Sequence, residues 1–506
     1  MRQRVLVWSC LIAVLAASWI VRFNGITFGF PIIVHPDEPK LVDPALSILA
    51  TGDLNPRTFL YPSLYIYMQS AVYLLIYGIG LVAGAFRRFS DIDFLTVYYW
   101  GRMLTIVLSV GTIFLVYLIG RVLLGLWPAV IATTFIAASY LHIVNSFTIT
   151  TDSPMTFWIA LSYLFSLYLY VTGPRLRYYV LSGICIGCAI GTKYTAFWGV
   201  VPLFLAHLHH TGFRPGRIFD KRILLALALI PAAFIVTTPF AVLDHRTFLS
   251  YLHFQQQAYS QGHPGHESVA TSYRYYSKAL MVQYGIIPLV MGGIGAIALF
   301  FADKRKALFL ISFPLVYFIF LGAYKVHFER NIVCLVPFLA LAGGYGVASV
   351  MGHSRKFVGN KYLWIAACLL VAAITLTGIY GQAKRSVVYI SRITLPDTRW
   401  VSKIWIEENL PAGARIAREH YTPPIDPRKF KVTYLGLFGL IKNRLDFYDY
   451  IIASSSDYSR FLKDEARYPD EAARYKGIFS AYALVKEFVA DNKTIGGPTI
   501  RIYKVR

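Results

Sequence analysis

The chain has 506 residues, 56% hydrophobic and 15% charged, with a formal net charge of +23 and a mean hydropathy of +0.53. So apolar a composition excludes a soluble globular protein of this length, because runs of about 20 apolar residues recur along it. The basic residues form no continuous soluble patch, so no nucleic-acid partner is expected.

In chain order, MRQRVLVWSCLIAVLAASWIVRF has no clear small-residue cleavage site and reads as a retained first helix rather than a signal peptide. Spans are expected at residues 5–23, 99–120, 128–148, 154–172, 178–192, 195–210, 222–240, 284–301, 307–323, 332–350 and 362–381. That makes a polytopic α-helical membrane protein of about eleven spans, thirteen at most. The runs 178–192 and 195–210 are short and also readable as one kinked helix.

Sides follow from the excess of Lys and Arg in loops that stay cytoplasmic. Arg2 and Arg4, GPRLR (173–177), FRPGRIFDKR (213–222), DKRK (303–306) and HSRKFVGNK (353–361) are placed inside. Loops 241–283 and 324–331 and everything after 382 then lie outside. The apolar run 61–84 would invert these sides if it crossed; its five tyrosines and one proline suit an interfacial or re-entrant helix. Residues 24–98 then form one large outer loop. Short loops and the lack of a long luminal insert point to the plasma (inner) membrane of a bacterium or archaeon, a bacterium first.

The five cysteines all lie in apolar runs, and CIGC (185–188) has no second pair or histidine cluster to complete a metal site. They are expected to pack as small hydrophobes.

Residues 1–383 hold twelve acids, all but Asp220 and Asp303 on the outer side. Asp37–Glu38 and Asp152 stand at helix ends beside prolines, where charge is costly and tends to be functional. The outer face also carries Arg102, GTKYT (191–195), LHFQQQAYSQGHPGHE (252–267) and KVHFERN (325–331). Such a set suits an anionic, lipid-linked substrate. Arg102, Lys193 and Arg330 are candidates to hold a phosphate. A carboxylate can take a proton from an acceptor hydroxyl. His35, Tyr61, His263, His266, Glu267 and His327 are candidate donor- or acceptor-loop contacts. Simpler roles stay open: helix caps for Asp37 and Asp152, snorkelling for Arg102 and Arg330, and a plain polar loop or a metal site at HPGHE.

In order, HPDE, FLYPSLYIY, WGRMLT, TDSPMTFW, GTKYTAF and HFERNIVCLVPFLAL resemble the integral-membrane glycosyltransferases of the protein O-mannosyltransferase superfamily (family 39-like), a group similar to the bacterial enzymes that move aminoarabinose onto lipid A. The resemblance covers about residues 5–350 and rests on the ordered set, not on one motif. It implies a GT-C fold, a large first outer loop with an acidic pair, and inverting transfer from a polyprenyl-phosphate sugar. It implies Asp37 as the base, Glu38 as its neighbour, Asp152 as the second outer acid, and Arg102, Lys193 and Arg330 as phosphate-binding positions. A lipid, glycan or protein hydroxyl is the implied acceptor. Two departures matter. Asn331 follows Arg330 where the family usually has an aromatic, and Leu60 and Tyr61 precede Pro62 where the aminoarabinose branch has a glutamate. No cofactor and no metal are therefore called for.

After residue 383 the composition changes: 14 of the 26 acids fall in residues 384–506. DTRWVSKIWIEENLPAGARI reads as an amphipathic helix, and ARIA, KVTYL, YDYIIASS and PTIRIYKV as strands, giving an extracytoplasmic α/β domain. The serines of IIASSSDYSRF lack a GxSxG elbow and read as a strand end and turn. A transporter or flippase is the alternative function, but it calls for internal repeats and mid-span charges that are not seen. A scaffolding role leaves the ordered outer motifs unexplained.

Overall fold

A computed structural model describes residues 2–212, 215–267, 271–357 and 360–505. Parts of the basic loops 213–222 and 353–361 and of the loop 241–283 lie outside these residues, and the side chains of Arg2 and Arg4 are not described. The chain divides into two compact units. One comprises Met1–Ile26, Asp37–Gly262 and Glu267–Val387, the other Thr27–Pro36, His263–His266 and Val388–Arg506.

The first unit is helical because a lipid core leaves backbone groups no partner but each other. By length and composition, seven helices among the described residues can cross a membrane: Leu64–Val82, Phe94–Leu123, Asp152–Thr172, Tyr273–Ala302, Lys304–Gly322, Glu329–Gly352 and Lys361–Ile393. Shorter apolar helices cover Val7–Phe23, Leu126–Ala138 and Leu176–Thr192. Asp93, Asp220 and Asp303 cap the helices that follow them, each accepting from backbone N–H groups one turn on. The bundle packs closely. A Cβ on Gly295 would lie 1.8 Å from the Ala342 carbonyl oxygen, and one on Gly346 would lie 2.1 Å from that of Met291.

The structure departs from the expected spans in three places. The run 128–148 is broken, because its helix ends at Ala138 and Ser139 starts a separate turn, Tyr140–Val144. The span expected at 284–301 begins at Tyr273. The last helix runs on to Ile393, so the compositional boundary at 383/384 falls inside a helix. Residues 64–82 form an uninterrupted helix long enough to cross. Its start lies beside the ends of two other helices, Ser63 N–H donating to Thr238 Oγ1 at 3.2 Å and Leu64 lying next to Gly191. It then runs antiparallel along the first turns of Phe94–Leu123, with Tyr65 on Thr105 and Gln69 on Gly101.

The second unit is an α/β domain with strands β1 (Arg415–Glu419), β2 (Lys431–Gly436), β3 (Tyr450–Ser454), β4 (Ala483–Phe488) and β5 (Ile500–Lys504). Their order is β2-β1-β3-β5-β4. β1 is parallel to β2 and β3, and β5 is antiparallel to β3 and β4. Alternation along the strands builds two cores. Ile416, Ile452 and Ile502 meet Ile406 of the helix Thr398–Asn409. Ala417, Ile451 and Tyr503 pack with Phe461 and Tyr475 of the helices Ser455–Leu462 and Pro469–Ala481. The serines end β3 as expected, but Ser454 caps a helix rather than opening a turn. In the same unit, Arg399 forks onto Asp397 and donates to the Val34 carbonyl at 3.2 Å.

Candidate active site

Asp152 opens the helix Asp152–Thr172, but Thr151 is its cap residue, so the carboxylate is not spent on backbone capping. It accepts from Lys193 Nζ at 2.6 Å and faces Arg330 Nε at 3.8 Å. Lys193 sits where Leu176–Thr192 ends, in an extended conformation that breaks the helix and turns its ammonium inward. Arg330 stands in the first turn of Glu329–Leu335, its guanidinium 4.7 Å from the Phe328 ring centroid. It also reaches Asp37, Nη1 to Oδ2 at 3.0 Å, while Lys40 Nζ meets Asp37 Oδ1 at 2.7 Å. The structure therefore brings together Asp37, Asp152, Lys193 and Arg330 from four separate stretches of chain. Three cations face two carboxylates, leaving one positive charge in surplus.

A cleft of about 240 Å³ opens at Lys193, lined by Leu60, Tyr61, Tyr194, Tyr259, Phe320 and Tyr324 among others. It pairs one ammonium with apolar and aromatic walls. Burial, reinforced by the charge of Asp37, pushes the Tyr61 phenol up, so it stays a neutral hydrogen-bond donor beside the acids.

Glu38 and Arg102 do not join this cluster, and here the expectation is corrected. Both side chains are fully buried. Arg102 Nε and Nη2 grip the two oxygens of Glu38 at 2.9 and 2.8 Å. Arg102 Nη1 donates to the Ile26 carbonyl at 2.7 Å, and Ile149 N–H donates to Glu38 Oε1 at 3.0 Å. A guanidinium so enclosed neither snorkels nor reaches a phosphate, and Glu38 cannot touch an acceptor. The pair clamps four points of the chain together, at Ile26, Glu38, Arg102 and Ile149. Arg330 does not snorkel either, because its partners are the two inner acids.

The remaining candidates scatter. His327 is buried, stacked on Tyr275 with centroids 3.6 Å apart and 3.4 Å from Ser272 Oγ. Glu267 is half-buried and bridges Val326 through backbone. His35, His263 and His266 belong to the second unit, where the rings of His263 and His266 lie 5.6 Å apart. Among the described residues, no group of three or more His, Cys, Asp or Glu is placed to hold a metal ion. All five cysteines are free thiols.

Sequence reasoning missed three members of the site. Lys40 follows Asp37 by three residues, one helical turn, which was a readable signal. Asn331 is buried. Its Oδ1 accepts from Lys193 Nζ at 2.9 Å while its Nδ2 donates to Tyr276 OH at 3.1 Å. The residue that departs from the family pattern thus aims the lysine. No local signal marks Tyr276.

Residues 98–242 match the family described as dolichyl-phosphate-mannose-protein mannosyltransferase. No curated protein sequence matches the chain. Among solved structures, ArnT from Cupriavidus metallidurans in the apo state aligns with a TM-score of 0.60 at 14% identity, over 97% of each chain. The same protein bound to undecaprenyl phosphate gives 0.59 at 12% identity, again over 97% of each. The oligosaccharyltransferase AglB from Archaeoglobus fulgidus, with an inhibitory peptide and a dolichol-phosphate, gives 0.57 at 13% identity, over 97% of this chain and 74% of that one. Likeness at such identity is likeness of fold. The protein is an integral membrane protein with the GT-C fold, which the ordered motifs implied, and a C-terminal sheet domain.

Proposed function

We propose that the protein is an inverting glycosyltransferase, moving a sugar from a polyprenyl-phosphate donor to an acceptor hydroxyl. One observation carries this: two carboxylates share one arginine, and a lysine on one of them opens into an apolar cleft. The cleft suits a lipid phosphate, its charge on Lys193 and its first isoprene units along Phe320 and Tyr324. Two of the aligned structures carry undecaprenyl phosphate and dolichol-phosphate, which supports the same donor class here. The acidic end of the bundle is read as the outer face, because the Lys/Arg-rich loops crowd the other end.

Without donor, Asp37 is held by Lys40 and Arg330. An arriving phosphate draws Arg330 and Lys193 toward itself and frees Asp37 as a base. Asp37 takes the acceptor's proton as its oxygen attacks the anomeric carbon from the face opposite the phosphate. The bond from that carbon to the phosphate oxygen breaks, and the cations hold the charge that develops on the leaving phosphate. Neither a nucleotide nor a metal enters this scheme. The site supplies the base and the charge stabilisation, and the chemistry of the two substrates sets the sugar and the acceptor.

The test is release of free polyprenyl phosphate by the purified protein, over a panel of polyprenyl-phosphate pentoses and hexoses with cell-envelope acceptors. Acceptor-dependent release from at least one donor is expected. Turnover of nucleotide sugars alone would overturn the assignment.

A further inference from the structure

The helical unit has a second cleft at the other end of the bundle. Tyr170 lies 18 residues along the helix from Asp152, about 27 Å away at 1.5 Å per residue. There Asp152–Thr172 and Val200–Thr211 end and Lys304–Gly322 begins. Between them lies a cleft of about 340 Å³, lined by Tyr170, Leu205, Leu208, His209, Arg305 and Phe309 among others. Its wall is well packed. The Tyr170 ring is sandwiched between Phe309 at 4.8 Å and His209 at 4.2 Å. His210 Nε2 donates to the Leu169 and Tyr170 carbonyls at 2.9 Å and ties down the last turn.

Arg305 is exposed at the rim. Among the described residues its guanidinium has no hydrogen bond and no ion pair, because Asp303 spends its carboxylate on the cap and on Lys306. Segments 174–177, 215–222 and 303–306 together hold eight Lys or Arg against two acids, Asp220 and Asp303, both used as helix caps. This end therefore has a surplus of cations around an apolar hollow. Leu308, beside Arg305, is 53% exposed and extends the apolar wall outward. A soluble phosphate would meet Arg305 and leave that wall wet. An amphiphile satisfies both.

We propose that this cleft binds an anionic phospholipid, its phosphate on Arg305 and its first acyl methylenes along Leu208, Leu308 and Phe309. The site is separate from the transfer chemistry and does not depend on it.

The test uses the full-length protein, delipidated in detergent and titrated with fluorescent short-chain phosphatidylglycerol or phosphatidylcholine. Phosphatidylglycerol is expected to bind about tenfold tighter, and Arg305→Glu to abolish that preference. Leu205→Trp, which fills the cleft, is expected to weaken both lipids, and excess inorganic phosphate is expected not to compete. Equal affinity for the two lipids in the wild type overturns the proposal, whether or not the variants fold. So does unchanged preference in Arg305→Glu, full displacement by inorganic phosphate, or tighter binding of polyprenyl phosphate than of phosphatidylglycerol.

Discussion

Asp37 and Glu38 are neighbours in HPDE, yet the fold gives them opposite tasks. Glu38 is sealed with Arg102 in a two-pronged ion pair that no substrate can reach. Asp37 shares Arg330 with Asp152, and Lys193, the other partner of Asp152, lines an open cleft. Both are acid–guanidinium contacts, but one has its geometry saturated and the other has a charge to spare. A buried charge with all its partners supplied holds structure. A charge cluster with a surplus cation and a cleft is prepared for a ligand.

The contrast breaks most visibly in stability. Removing one partner of a buried pair strands the other, at a cost of about 3–5 kcal/mol. Glu38→Ala and Arg102→Ala should each lower the melting temperature sharply and depress yield, whereas Asp37→Asn should melt close to wild type. Thermal unfolding in detergent checks this, and equal melting of all three variants would erase the distinction.

Lys193→Met comes next. Loss of a hydrogen bond to charge is worth about 1.5–3 kcal/mol, so kcat/KM for the polyprenyl-phosphate donor should fall about 10- to 100-fold with the fold intact. Asn331→Ala reaches the donor only through Lys193, which keeps Asp152 at 2.6 Å, and should cost less, about fivefold in kcat/KM or about 1 kcal/mol. Steady-state donor titrations of the two variants rank them, and the reverse order would show that Asn331 meets substrate itself.

The smallest effect concerns the C-terminal domain. Glu419 at the end of β1 is buried, and burial with the nearby Asp457 pushes its carboxyl up to about 8. Burial pushes Asp457 up to about 7. Unfolded, both ionise near their ordinary values of 4.5 and 3.8. The unfolded state therefore releases protons first, and domain stability should fall as pH rises from about 4 to 8, levelling off above. Hydrogen exchange at β1 and β3, corrected for intrinsic rate, should show this slope, and Glu419→Gln should flatten it.

Much of the site was legible because its members sit in short motifs at helix ends: HPDE, TDSPM, GTKYT and HFERN. Sequence could not show which acid would pair with which cation. Arg102 and Arg330 look alike in the chain, and only packing puts one against Glu38 and the other between Asp37 and Asp152. Asn331 read as a departure from a family pattern, while its Lys193–Tyr276 bridge joins residues 138 and 55 positions away. In the C-terminal domain strands β1, β2, β3 and β5 were found. The mostly exposed β4 and the helices Ser455–Leu462 and Pro469–Ala481 were not, for their patterns carry little apolar contrast. Helix Lys361–Ile393 ran past its expected end because the polar residues 382–386 still favour helix.

The most direct test is sugar transfer by the purified wild type and Asp37→Asn, with donor binding measured on the same samples. The account predicts donor binding close to wild type and transfer lowered about 10²–10⁴-fold, the share a positioned base supplies. Full transfer by Asp37→Asn would contradict it, and the search for a base would move to Asp152.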